Sequence, residues 1–187
     1  SYDYIYSQLG QIDYALINEW STDAINLYLR LRKTLKTYDI SEDLTEITVR
    51  RAELTFYTNR IGYEKSILEV LNKIPENHPE KFRLFISYLD YIWTSDLSKA
   101  DSIVRAASLH IRKNYPEHES KICQLKLAEA MLAISKGKFN ESTRVFENEA
   151  YPLVQGREEY WAKFLKGEYY RLRSSAYGSI GDFIKRG

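Results

Sequence analysis

The chain has 187 residues, 44% of them apolar, and a net charge of +1. That is enough to bury a core, and too evenly balanced to announce a nucleic-acid backbone or an anionic membrane as partner. Four Pro and eight Gly are too few for a fold of many strands and turns, and the single Cys123 excludes an internal disulfide.

Taken in order, the chain reads as a series of helices. Apolar residues at three- and four-residue spacing from Tyr2 to about Asn18 predict a first helix, despite Gly10. Ser21, Thr22 and Asp23 supply caps for a second, from Ala24 to about Lys36. A third is expected from about Ser41, with Glu42 and Asp43 in its first turn, to Arg60. Gly62 marks a turn, and a fourth helix runs from about Tyr63 to Leu71 before Pro75 and Pro79. Pro79 suits the first turn of a fifth helix, whose body Phe82 to Trp93 is apolar nearly all round and so expected to be covered on most sides. Thr94, Ser95 and Asp96 cap a sixth, from about Leu97 to Lys113.

Ile122 to Ala150 reads as a helical hairpin. Its first helix ends at Ser135-Lys136-Gly137, with Gly137 a natural left-handed stop. Its second opens near Asn140, with Asn140, Glu141 and Ser142 as capping residues. Pro152 breaks the chain, and a ninth helix is expected from about Glu158 to Ser179. Gly181 then begins a turn, with Phe183 and Ile184 as the start of a tenth helix. None of these helices can bury its apolar stripe alone, and serial stacking of pairs is the solution. The fold expected is all-α, with about nine helices in a single domain over residues 1–187, cut from a longer array.

The hairpin resembles a tetratricopeptide repeat. A small residue sits mid-way along the first helix (Ala130), followed by Gly137, an aromatic two positions on (Phe139), a small residue (Ser142) and a further aromatic (Phe146). Ser174, Tyr177, Gly181 and Phe183 echo this set; Tyr57, Tyr63 and Ser66, then Tyr88, Leu97 and Ala100, and finally Trp20, echo it more weakly. The turn markers Trp20, Tyr63, Leu97, Phe139 and Phe183 lie 43, 34, 42 and 44 residues apart, so the repeats are irregular. The resemblance implies a right-handed superhelical array of antiparallel helix pairs, an α-solenoid that grips a peptide or helix of another protein.

If alternate helices line one surface, Arg51, Thr55, Asn59, Lys126, Glu129, Lys163, Arg171 and Arg173 are candidate partner-binding residues. Long basic side chains there could pair with an acidic peptide or its terminal carboxylate. Phe85, Leu89, Ile92 and Trp93 are core residues or, second, an apolar slot. Sixteen Tyr suit half-buried helix seams or, second, an aromatic binding groove.

Site chemistry is sparse. His110, His118 and Cys123 match no metal-ligand spacing, and Cys123 on an apolar helix reads as a core residue. No phosphate-cradling glycine loop or nucleophile elbow occurs. The expectation is a non-enzymatic protein-interaction or assembly scaffold with no cofactor and no catalytic or metal residues. Its partner is another protein; nucleic acid is disfavoured, membrane insertion is not expected, and the location is cytoplasmic. The alternatives are a ligand-sensing domain of a larger regulator and a weak nucleic-acid-binding module. The last would use Arg30, Arg32, Lys33 and Lys36, or the basic and aromatic residues from Arg157 to Arg186.

Overall fold

A computed structural model describes residues 2–186, with side chains through Ala176. Among them every regular element is helical, and no helix is long and apolar enough to cross a membrane. Nine α-helices follow in order: α1 (Tyr2–Ile17), α2 (Ser21–Thr37), α3 (Thr45–Thr58), α4 (Tyr63–Lys73), α5 (Pro79–Ile92), α6 (Leu97–Asn114), α7 (Glu119–Ser135), α8 (Phe139–Val145) and α9 (Tyr160–Arg186). Consecutive helices pack as antiparallel neighbours, α1 with α2, α3 with α4, α6 with α7 and α7 with α8. The chain divides into two compact units, one through Leu84 and one from Phe85 onward, and the division falls inside α5.

Several boundaries differ from the sequence reading. Ser21, Thr22 and Asp23 lie inside the first turn of α2 rather than capping it, because Trp20 takes the cap position. α3 starts at Thr45, not Ser41; the Ser41 hydroxyl instead accepts the Asp43 N–H at 3.0 Å and closes a local turn. In the hairpin, Lys138 precedes the helix and no side chain caps it, so Asn140 and Ser142 are helical residues. Asp96 does cap α6, accepting from the Lys99 N–H at 2.9 Å. No turn divides α9 at Gly181 and no tenth helix follows it, since the helix is continuous to Arg186. An internal Gly costs only about 1 kcal/mol, which does not end a helix. The side chains of Tyr177 and Phe183, two of the repeat markers, lie outside those described.

Three helix-to-helix turns use one device. After α1, α2 and α7 a single residue turns left-handed: Glu19 (φ 59), Asp39 (φ 52) and Gly137 (φ 70). In each, the next residue's N–H reaches back five positions: Trp20 to the Ala15 carbonyl (2.8 Å), Ile40 to Leu35 (2.9 Å), and Lys138 to Ala133 (2.8 Å). These are Schellman closures, which satisfy carbonyls that a helix end leaves open.

The first unit has an aliphatic core and a charged seam. Ile5, Leu9, Ile12 and Ala15 of α1 pack against Ala24, Tyr28, Leu31 and Leu35 of α2, and against Ile47 and Leu54 of α3. Beside it, Arg50 of α3, with 7% of its side chain exposed, pairs with Asp13 of α1 at 2.7 Å and with Glu80 of α5 at 2.5 Å. Arg83 of α5 joins Asp13 at 2.8 Å and Glu53 of α3 at 2.7 Å. Burial works against the Arg83 charge, but Glu53 and Asp13 outweigh it and hold its pKa above the usual guanidinium value.

The second unit has an aromatic and sulfur-containing core. Cys123, Leu127, Ala130 and Met131 of α7 meet Val145, Phe146, Ala150, and Ala162, Leu165 and Tyr169 of α9. After Val145 the chain widens into a π-turn over Phe146–Ala150, the Tyr151 N–H bonding the Phe146 carbonyl, and then tightens into a short 3-10 turn at Tyr151–Leu153. Pro152 has no N–H to offer the Asn148 carbonyl, so a regular α-helix cannot continue through it. Cys123 Sγ lies 3.8 Å from the Ala150 carbonyl in this turn, and Glu147 on it accepts from Tyr169 at 3.1 Å and Arg173 at 2.6 Å.

Candidate functional site

An open groove of about 520 Å³ lies between α1 and α2. It follows from how the hairpin is built. The core stripe of α1 runs through Ile5, Leu9, Ile12 and Ala15; Tyr14 lies off that stripe and remains 54% exposed. The left-handed Glu19 turns the chain back so that Trp20, 51% exposed, stands over the same edge. The two rings meet edge to face, centroids 5.6 Å apart at 78°, a geometry that suits their quadrupoles. Asn18 braces the turn, its side-chain amide donating to the Tyr14 carbonyl at 2.7 Å.

From this aromatic end the groove runs along both helices. Gly10 and Leu27 line it midway, with the Gln11 and Asn26 side chains beside them; Asp23 lies near the aromatic end, and Ser7 and Arg30 at the other. A Cβ on Gly10 would meet no atom within 4 Å, so the missing side chain is open space rather than tight packing. Asp23 and Arg30 are exposed, and neither makes an ion pair within the described residues.

The eight residues singled out from sequence sit elsewhere. Arg51 is exposed on α3. The Thr55 hydroxyl is half-buried and bonds the Ala52 carbonyl, and Asn59 caps the short Arg60–Gly62 turn by accepting the Gly62 N–H at 3.2 Å. Lys126 and Glu129 are brought together at 2.7 Å, and Lys126 also reaches Glu149 at 2.8 Å. Burial disfavours the Lys126 charge, but these two carboxylates outweigh it and raise its pKa, while Glu149 is lowered by Lys126. Lys163 pairs with Glu158 at 2.7 Å, Arg171 with Glu168 at 2.7 Å, and Arg173 with Glu147 at 2.6 Å. Four of the eight, Lys126, Lys163, Arg171 and Arg173, are thus engaged with carboxylates of the same chain, Glu129 being one of those carboxylates.

Phe85, Leu89 and Ile92 are buried, and Trp93 packs against the core of the second unit; they are core, not a slot. His110 and His118 each approach the Tyr115 ring, at 5.6 and 6.3 Å. Cys123 is fully buried, and burial pushes its thiol up to about 11. No group of three metal-ligating side chains occurs among the described residues. Of the groove residues, Gly10, Tyr14 and Asp23 went unselected as binding residues in the sequence, and Arg30 stands there only among the basic residues of the nucleic-acid alternative. The available signal was Tyr14 standing off the apolar stripe, together with a glycine one turn before it.

Compared with known proteins, the chain matches no family model, no curated protein and no solved structure. The likeness to tetratricopeptide repeats therefore rests on the residues and the helix pairing.

Proposed function

We propose that this chain is a non-catalytic helical-repeat module that holds a polypeptide segment of a partner protein. The observation that carries the reading is the exposed aromatic surface of α1 and the following turn. Tyr2, Tyr4, Tyr6, Tyr14, Ile17 and Trp20 are each more than half exposed, and large aromatic side chains left in water are suited to serve as anchors for a docking partner. Tyr and Trp suit the task because they bring large contact area with few rotors to freeze. The tetratricopeptide-like array and the eight candidate contacts from Arg51 to Arg173 belong to the same proposal, with Arg51 exposed on α3.

Internal pairing bears on the nucleic-acid alternative. Arg32 is held by Glu42 at 2.9 Å, and Lys163, Arg171 and Arg173 are held as described, so less free positive charge is left to displace counterions.

The test is a peptide-array screen with the wild-type chain and with Tyr14→Ala/Trp20→Ala, both checked for helicity by circular dichroism. Peptides that bind the first and lose affinity for the second are the expected result. Turnover of a substrate, or peptide binding indifferent to both aromatic substitutions, overturns the reading.

A further inference from the structure

The groove side of α2 carries a charge pattern that complements itself when the helix is turned end for end. We propose that this face of α2 docks antiparallel on α2 of a second copy of this chain, about a two-fold axis between Asn26 and Leu27, with Asp23 of each copy paired to Arg30 of the other. This rests on the reading of the α1–α2 edge as a docking surface and names the partner.

Asp23 and Arg30 lie seven residues apart on α2, two turns along one helix face and about 10.5 Å along the axis. An α-helix laid beside α2 presents its own residues i and i+7 at that same spacing. The ligand that complements both charges is therefore a helix with an Arg and an Asp two turns apart, in the reverse order. α2 run backwards is such a helix. A two-fold axis makes an isologous contact, in which residue i meets residue j and j meets i, so antiparallel docking forms the pair twice. Parallel docking sets Asp23 on Asp23 and Arg30 on Arg30, and like charges face to face are strongly disfavoured. Both side chains are exposed and neither makes an ion pair within the described residues, so pairing across the axis displaces no internal ion pair.

The neighbours of the pair share its symmetry. Trp20, at the turn, lies one helical turn before Asp23, and Lys33 lies one turn after Arg30, so the two pairs have one midpoint. Antiparallel docking brings the exposed Lys33 of one copy toward the exposed Trp20 indole of the other, a cation–π contact. At the axis, Asn26 carries both donors and an acceptor and can bond its own counterpart, while Leu27 supplies apolar contact. On the α1 side of the seam Ser7 and Gly10 are small, and a Cβ on Gly10 would meet no atom within 4 Å, which leaves room beside α2 for the second helix. A foreign helix needs only to complement this face and gives no reason for the face to complement itself. A net charge of +1 puts little repulsion between two copies.

The test is sedimentation equilibrium of the whole chain over a concentration series, with helicity checked by circular dichroism. The wild-type chain is expected to dimerise. Asp23→Arg and Arg30→Asp are each expected to weaken the dimer at least about tenfold, since either change leaves only like charges facing across the axis. Mixed in equal amounts, the two variants are expected to form a heterodimer close to wild-type in strength, because every Arg then meets an Asp. Two misfolded variants cannot rescue one another in this way. A wild-type chain still monomeric at about 1 mM, a dimer indifferent to either reversal, or no recovery on mixing overturns the proposal. A monomeric chain that captures array peptides through Tyr14 and Trp20 sinks the second copy alone. Mutual rescue by the two variants, with no array peptide bound, supports the second copy and leaves the surface without a foreign partner.

Discussion

The two units solve the same packing problem with different chemistry. In the first, α1, α3 and α5 are tied by a charged seam in which Arg50 and Arg83 share the Asp13 carboxylate and reach Glu80 and Glu53. In the second, α7, α8 and α9 close over Cys123, Met131, Phe146 and Tyr169, and ions are used at the edges. A seam of shared ions is specific in geometry but brittle, since removing one member strands the others in a place water hardly reaches. A core of rings and aliphatics is tolerant of shape, and loses stability in proportion to the volume removed.

The largest effects expected are one in each unit. Arg50→Ala leaves Glu80 without its ion-pair partner and Asp13 with Arg83 alone, and should cost about 3–5 kcal/mol, read by urea unfolding, with hydrogen exchange rising first in α1 and α3. A loss under 1 kcal/mol would erase the distinction between the units. Phe146→Ala is the matching cut in the second unit, and should cost about 3–5 kcal/mol through the cavity it leaves. Tyr169→Phe, which keeps the ring and removes only the 3.1 Å bond to Glu147, should cost about 1 kcal/mol.

Smaller effects test the turns the units share. Gly137→Ala should destabilise by about 1–2 kcal/mol, because φ 70 is strained for any residue with a Cβ and no neighbour crowds the site. Asp39→Gly and Glu19→Gly should stabilise by up to about 1 kcal/mol for the same reason, measured as a rise in Tm.

The smallest effect is electrostatic. Asp90 of α5 is an exposed residue, yet the protein crowded round its carboxyl strips hydration from the charge, and this desolvation, only partly offset by Arg171 of α9, lifts its pKa to about 6. A carboxyl raised on folding is best tolerated while protonated, so its contribution declines as pH climbs from the unfolded value through about 6. Asp90→Asn should therefore raise Tm at pH 7, and the advantage should shrink at pH 4. An advantage that persists unchanged at pH 4 would assign the effect to packing.

Helix existence was legible in the sequence because each stripe repeats at three and four residues; α1, α4 and α6 start and end within a residue or two of expectation. What stayed hidden depends on contacts distant in the chain. Asp13 and Arg50 read as ordinary polar positions, because nothing local says that they will meet 37 residues apart. Lys126 and Arg173 read as free cations for an acidic partner, because their carboxylates, Glu149 and Glu147, come from the neighbouring turn of the fold. The caps assigned to Ser21 and Ser142 failed for a simpler reason: a residue with capping chemistry also sits inside a helix when the preceding Schellman turn has already fixed where the helix begins.

The widened turn at Phe146–Ala150 has a further consequence. It holds one residue more than an α-helical path of the same length needs. Removing one residue there would rewind the segment by about 100° and swing Glu147 away from Tyr169 and Arg173. A shortened chain of this kind would keep its helices and lose its grip on α9, which marks this spot as the place where the second unit's geometry can be retuned by length alone.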